Sequence, residues 1–325
     1  MARAILIREV GGAEVMVMEQ VEVGAPGAGQ VRIKHSAIGL NYIDVYFRTG
    51  LYPAPHMPFS PGLEAAGEVL EVGPGVSEVA VGERVAYAAP PIGAYAEERL
   101  MQADRLVKIP PGVSEEQAAA MMLKGMTTQY LLRSTYRVKA GDTIVFHAAA
   151  GGVGLIACQW AKALGATVIG TVGNEAKAEL ARAHGCEHPV IYTRENLLDR
   201  VMEITDGAGV PVVYDSVGKD TYEASMDCLA PRGMMVSFGN SSGPAPVVDP
   251  GLLSAKGSLF FTRPTLMTYT AKREDLVASA AELFDVVASG QVAIEVHRTF
   301  PLAAAADAHR ALEGRQTTGS TVLMP

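Results

Sequence analysis

Hydrophobic and polar positions change rhythm about a third of the way along the chain. Up to about residue 120 the apolar residues come in short runs, Ala4–Arg8, Val31–Ala37, Ala65–Val72 and Arg84–Ala88. Stretches rich in Gly and Pro separate them: Gly24–Gly29, Pro53–Pro61, Gly73–Gly75, Pro90–Gly93 and Pro110–Gly112. Short strands with that punctuation predict a β-rich, barrel-like domain. Ser114-Glu115-Glu116-Gln117 then reads as a helix start, with a capping serine and an acidic first turn.

From there strands and helices alternate. Strands are expected at Thr143–His147, Thr167–Val172, Val190–Tyr192, Val210–Asp215, Met234–Phe238 and Leu259–Thr262. Helices are expected at Val153–Leu164, Glu175–His184, Leu197–Thr205 and Asp220–Leu229. This alternation predicts a parallel sheet with helices on both faces. The tail reads differently: a helix Arg273–Ala288, a strand Val292–His297, a helix Leu302–Leu312 and a strand Ser320–Leu323. It is expected to return to the first domain. The predicted organisation is therefore a first domain over 1–124, a second over 125–262, and a return to the first over 263–325.

The densest chemical signal is His147-Ala148-Ala149-Ala150-Gly151-Gly152-Val153-Gly154, between a predicted strand and a predicted helix. That helix has apolar residues at Val153, Ile156, Ala157, Trp160, Ala161 and Leu164, the spacing of one helical face. A pyrophosphate bound at a helix N-terminus needs close approach to backbone N–H groups, so side chains there must be absent. Gly152 permits the approach, and Gly154 permits tight packing of helix on strand. The pattern departs from the usual glycine fingerprint at Ala149, where the first glycine is expected.

The end of the second strand bears on which dinucleotide is bound. An NAD-binding unit places an Asp or Glu ~20 residues after the loop, against the ribose 2′-hydroxyl. Here the strand runs into Gly173-Asn174-Glu175-Ala176-Lys177, and its end carries no carboxylate. Gly173 leaves room for a 2′-phosphate and Lys177 supplies a cation, which favours NADPH. Tyr192, at the end of the third strand, is placed to pack beside the adenosine and donate its hydroxyl. Three alternatives stand beside this: Lys177 as an ordinary helix-face lysine, Tyr192 as a half-buried strand tyrosine, and Glu175 turned to the ribose, which would select NAD.

Composition narrows the class. Apolar residues make up 49% of 325, enough for a large core. The net charge of −8 repels phosphate backbones, so nucleic acid is not the expected partner. Cys158, Cys186 and Cys228 are widely spaced and odd in number, unlike a disulfide framework or a zinc ribbon. Arg3, Arg8 and Glu9 interrupt the apolar start, and no run reaches the ~18 apolar residues of a membrane span. A cytoplasmic protein is expected.

Six stretches together resemble the medium-chain dehydrogenase/reductase family, and within it the zinc-free NADPH:quinone oxidoreductases related to zeta-crystallin. They are Ala37–Pro53, Gly62–Val69, Leu123–Leu132, Phe146–Ala166, Val213–Gly218 and Val236–Gly243, in the family's order. The resemblance implies an α/β protein with a GroES-like β-rich catalytic domain and an inserted Rossmann domain, the cofactor lying between them. Family alcohol dehydrogenases bind a catalytic zinc through a Cys in the first stretch and a His before Glu in the second. Here those positions hold Asn41 and Leu63, with Glu64 kept. Neither replacement is a zinc ligand, so no metal is expected.

By the same resemblance Asn41, Tyr42 and Tyr46 line the nicotinamide end. Thr127, Gly152, Val153, Gly173, Lys177 and Tyr192 contact the cofactor. Phe238, Gly239, Asn240 and Ser241 close over its ribose side, and Phe261, Arg263 and Arg315 add contacts from the returning tail. The expected reaction passes a hydride, or electrons stepwise, from NADPH to a quinone or a similarly conjugated carbonyl acceptor. Asn41, Tyr46 or Tyr52 would donate a hydrogen bond to the acceptor oxygen. Two rivals remain at this stage: a reductase of 2-enones, enals or enoyl thioesters, and a non-catalytic NADPH-binding or RNA-associated protein. A homodimer is expected, through the apolar edge Leu259–Thr262.

Overall fold

The computed structural model describes residues 1–325. The chain forms two compact units. One comprises Met1–Met126, Thr270–Ala288 and Ile294–Pro325; the other comprises Thr127–Tyr269 and Ser289–Ala293.

In the first unit a seven-stranded sheet runs in the order Val296–Pro301, Ser320–Met324, Gln30–Gly39, Glu64–Val72, Arg84–Ala88, Val107–Lys108, with Glu98–Gln102 also paired to Gln30–Gly39. All pairings are antiparallel except that of Val296–Pro301 with Ser320–Met324. A hairpin, Ala2–Ile7 with Met16–Val21, joins through Ile5 and Ile7, whose N–H groups donate to Tyr95 and Phe59 carbonyls at 2.8 Å. Ile5, Ile7, Val31, Ile33, Ile38, Val69, Val85, Tyr87 and Met101 form the core. The central pair of strands slips register at Arg32/Ile33 and again at His35/Ala37. Gly67 lies opposite that irregularity. A Cβ there would collide with the Lys34 carbonyl oxygen and stand 2.8 Å from His35 Cα, so only glycine fits the close backbone approach.

In the second unit six strands are all parallel, in the order His188–Ile191, Thr167–Val172, Thr143–Phe146, Val210–Asp215, Leu229–Ser237, Phe260–Thr262. Numbered along this unit the order is 3-2-1-4-5-6, the doubly wound arrangement read from the alternating elements. The order reverses between Thr143–Phe146 and Val210–Asp215, and ligands of such sheets bind outside the carboxyl ends of strands at that point.

Several local features differ from the sequence expectation, among them the unexpected strands Met16–Val21 and Glu98–Gln102 and helices Pro250–Ala255 and Leu266–Tyr269. A two-turn helix, Tyr42–Thr49, interrupts the strand-rich region and ends at Gly50, which takes the left-handed conformation (φ 79°). The tail strand lies at Val296–Pro301 instead of Val292–His297. Val292 and Ile294 are buried, which gave the segment its apolar alternation. Its backbone is met by side-chain amides instead of a ladder: Ala293 N donates to Gln159 Oε1 at 2.8 Å, and Gln117 Nε2 donates to Ile294 O at 3.5 Å.

Gly67→Ala is expected to cost about 3 kcal/mol of stability, the upper end of the overpacking range, read as a lowered urea midpoint. An unshifted midpoint would show that the Lys34 peptide can move aside.

Candidate active site

At the switch point of the second unit, the loop after Thr143–Phe146 is held by the neighbouring strand. Ala148 takes a left-handed conformation (φ 55°), with its N–H donating to Thr171 Oγ1 at 3.2 Å, and Ala149 N donates to Thr171 O at 3.0 Å. Gly151 caps the helix Gly152–Ala163. A Cβ on Gly154 would stand 2.7 Å from Ala149 Cα, so that glycine sets the packing of helix on loop. The departure at Ala149 is compensated across the sheet. A Cβ on Gly170 would lie 2.6 Å from the Ala149 methyl, so the space the fingerprint normally saves at one position is saved here at its neighbour.

Behind this loop runs a buried polar chain. His147 Nδ1 meets Thr171 Oγ1 at 3.0 Å and its Nε2 meets Ser225 Oγ at 2.9 Å; Ser225 Oγ donates to Asp215 Oδ2 at 2.9 Å. Asp215 also accepts from Thr221 Oγ1 at 2.7 Å and from the N–H groups of Val217 and Gly218 at 2.7 and 2.9 Å. By residue type this is a Ser–His–Asp set, but the serine hydroxyl is spent on the aspartate and all three residues are buried. Burial also lowers the His147 pKa. The chain is a brace joining strand ends, not a nucleophile.

At the end of Thr167–Val172, Asn174 Oδ1 accepts from Lys177 N at 3.0 Å and caps the helix Glu175–Ala183. A Cβ on Gly173 would stand 2.9 Å from the Tyr192 hydroxyl, and Tyr192 is half exposed. Glu175 is within 3.6 Å of Arg182 and 3.7 Å of Arg194, so its charge is shared by two guanidinium groups. Gly173 and the Tyr192 hydroxyl thus meet at this strand end, with Lys177 in the first turn of the helix that follows. Phe238 N donates to Asp215 O at 2.7 Å, and the Phe238 ring lies 5.7 Å from that of Phe146. Ser241 N donates to Ser216 O at 3.2 Å, and a Cβ on Gly239 would collide with Ser216 O and stand 2.8 Å from Ser216 Cα, which places Phe238–Ser241 beside the carboxyl end of Val210–Asp215. Arg263 Nη1 donates to Ser237 O at 2.8 Å, bringing it to the same strand end. Thr127 is buried, one turn before Tyr130, which stacks on Tyr269 at 4.5 Å. Phe261 packs on Tyr222 at the core, 6.3 Å between ring centroids.

In the first unit Asn41 caps the helix Tyr42–Thr49, and its N–H donates to Asp44 Oδ2 at 2.9 Å. The rings of Tyr42 and Tyr46 lie 5.5 Å apart and those of Tyr46 and Tyr52 5.1 Å apart, a short aromatic row. The Asn41 carboxamide points inward: Nδ2 donates to Glu64 Oε2 at 2.7 Å and to Gly39 O at 3.4 Å. Lys124 Nζ and Leu123 N reach the same carboxylate at 3.1 and 2.6 Å. Asp44 accepts from the Tyr95 hydroxyl at 3.1 Å, which in turn meets His309 Nε2 at 2.9 Å. Burial pushes the Asp44 carboxyl up to about 7, against the two hydrogen bonds it accepts. Arg315, in a left-handed conformation (φ 56°), is exposed, and its charge is felt by Tyr42.

Comparison with known proteins places this geometry. Residues 27–111 match the alcohol dehydrogenase GroES-like domain and residues 152–285 match the zinc-binding dehydrogenase family. A quinone oxidoreductase of Pseudomonas aeruginosa is 55% identical over the whole of both chains. The chain belongs to the quinone oxidoreductase family. The crystal structure of Escherichia coli quinone oxidoreductase complexed with NADPH covers both chains fully, with a TM-score of 0.98 and 48% identity. A 2-haloacrylate reductase of Burkholderia is 49% identical over 100% of this chain and 99% of its own.

Although one matching family model is named for zinc, the residues of this quinone oxidoreductase family member do not fit that metal. Leu63 is apolar and buried, Asn41 is spent on Glu64 and Gly39, and Glu64 is already met by three donors. No group of three or more His, Cys, Asp or Glu side chains is placed to hold a metal ion. Sequence reading missed the Lys124 ammonium, the Asp44–Tyr95–His309 chain and the Asp215 brace. Only the last had a local signal, an Asp three residues before Gly218 at a strand end, where a carboxylate accepts from the turn's own N–H groups.

Asp44 makes stability depend on pH. The folded carboxyl holds a proton that the unfolded chain releases, so its contribution is complete below pH 3.8 and is lost as the pH rises through about 7. Asp44→Asn does not titrate. Its unfolding free energy relative to the unaltered protein is expected to climb between about pH 4 and about pH 7 and then level off. Urea melts that stay parallel across that range would show Asp44 ionised throughout.

Proposed function

We propose that this chain reduces quinones with NADPH, in the balance NADPH + H⁺ + quinone → NADP⁺ + hydroquinone, without a metal. The observation that carries the reading is the full-length likeness to the NADPH complex of E. coli quinone oxidoreductase, at 48% identity. When bound, NADPH supplies the hydride. The backbone at Gly152 and Val153, at the start of its helix, takes the pyrophosphate. Gly173, Lys177 and Tyr192 take the 2′-phosphate. Thr127, Phe238, Gly239, Asn240, Ser241, Phe261, Arg263 and Arg315 complete the cofactor contacts, with Asn41, Tyr42 and Tyr46 at the reacting end. Tyr46 and Tyr52 orient the acceptor and donate to its oxygen as negative charge develops there. Asn41 acts by holding the helix that carries Tyr46.

A second reading has one observation in its favour, the 2-haloacrylate reductase at 49% identity, which supports reduction of an activated carbon–carbon double bond at the same site. NADPH consumption with 1,4-benzoquinone and with 2-chloroacrylate separates the two. Faster quinone turnover supports the first reading, and turnover with the haloacrylate alone replaces it. Lys177→Met is expected to weaken NADPH binding by roughly tenfold to a hundredfold, the worth of one charged hydrogen bond, and to leave NADH binding unchanged. Equal weakening of both would remove Lys177 from the 2′-phosphate.

The protein works as a homodimer in the cytoplasm in this reading. Three unpaired, buried cysteines suit a reducing compartment. Phe260–Thr262 is an edge strand of the second unit's sheet, and Phe260 is 57% exposed, an open edge that a second copy would pair and cover. Phe260→Lys is expected to sediment as a monomer where the unaltered chain sediments as a dimer. Two dimers, or two monomers, would discard this interface.

A further inference from the structure

Glu64 has no exposed surface, and the residues that meet it, Asn41 and Lys124, are each only 5% exposed. One carboxylate oxygen accepts from Leu123 N at 2.6 Å; the other accepts from Lys124 Nζ at 3.1 Å and Asn41 Nδ2 at 2.7 Å. A Cβ on Gly39 would collide with this second oxygen and with the Ala119 carbonyl, so glycine is needed for the backbone to close on the pair. A buried ion pair contributes little net stability over apolar residues of the same shape, whereas removing one partner strands a charge. The pair therefore makes better sense as a device for geometry. Its geometric effect is specific: it fixes the Asn41 carboxamide, and Asn41 caps the helix Tyr42–Thr49 that carries Tyr46.

We propose that Lys124 and Glu64 are positioning residues of the reaction. The Lys124 ammonium holds the Glu64 carboxylate in place, and Glu64 in turn locks Asn41 and the start of the tyrosine helix. The inference rests on the quinone-reductase reading and adds to it the buried pair that positions the tyrosine helix. It also accounts for two sequence departures together. Asn41 in place of a thiolate ligand keeps a donor for Glu64, and Leu63 in place of an imidazole removes a competing ligand.

The test compares the unaltered protein with Glu64→Gln/Lys124→Met, which removes both charges and keeps both shapes. Turnover of 1,4-benzoquinone, NADPH affinity by quenching of Trp160, thermal midpoint and the NMR resonances of the Asn41 carboxamide are measured on each. The double variant is expected to melt close to the unaltered protein, to bind NADPH within about threefold, and to lose at least about tenfold in kcat. Its Asn41 carboxamide protons, assigned by their loss in Asn41→Asp, are expected to shift and to exchange faster. A folded double variant with undiminished kcat overturns the proposal and leaves the network a purely structural pair. Should the double variant not fold, fast exchange of the Asn41 carboxamide in the unaltered protein overturns it equally, and slow exchange supports it. Absence of quinone turnover in the unaltered protein sinks the underlying functional reading instead, a result distinct from both.

Discussion

A carboxylate with no exposed surface must be met by donors wherever the fold puts it, because its desolvation is otherwise prohibitive. One such carboxylate in each unit, Glu64 and Asp215, draws its donors from several elements. Glu64 gathers the cap of the tyrosine helix, the N–H of Leu123 and the ammonium of Lys124. Asp215 gathers two turn N–H groups, Thr221 and, through Ser225, the imidazole of His147. Glu64 opens its strand and Asp215 closes its own. Glu64 ties the start of the helix Tyr42–Thr49 to the helix Glu115–Tyr130, and Asp215 ties the turn that follows its strand.

The nucleotide loop follows the opposite rule: what matters is the side chains it lacks. Gly154 brings the helix onto Ala149, Gly170 makes room for the Ala149 methyl, and Gly173 leaves the Tyr192 hydroxyl clear. The fingerprint is thus a statement about volume, and the volume can be saved on a neighbouring strand. Glu175 is adjacent in sequence to the residues that would read a ribose, yet Arg182 and Arg194 share its charge.

Much of the fold was legible because periodicity is local. The alternation of strands and helices gave the parallel sheet, and Ser114 and Gln117 do exchange the reciprocal capping hydrogen bonds their spacing suggested. The tail strand was misplaced because buried Val292 and Ile294 alternate like strand residues while their backbone is met by glutamine side chains. The helix Tyr42–Thr49 has only two turns, too few for a pattern to rise above its strand-rich surroundings. The polar networks were not legible, since Asn41 and Lys124 lie 23 and 60 residues from the carboxylate they share, and nothing in either local sequence announces the meeting. Resemblance supplied the residues expected to touch ligand; it did not supply the residues that hold them.

The account stands or falls on metal-free quinone reduction. The most direct measurement is NADPH oxidation by 1,4-benzoquinone after exhaustive dialysis of the protein against a chelator. The account predicts turnover undiminished by chelation and unaltered by added zinc. Turnover that vanishes on chelation and returns with zinc, or no turnover under either condition, would contradict it.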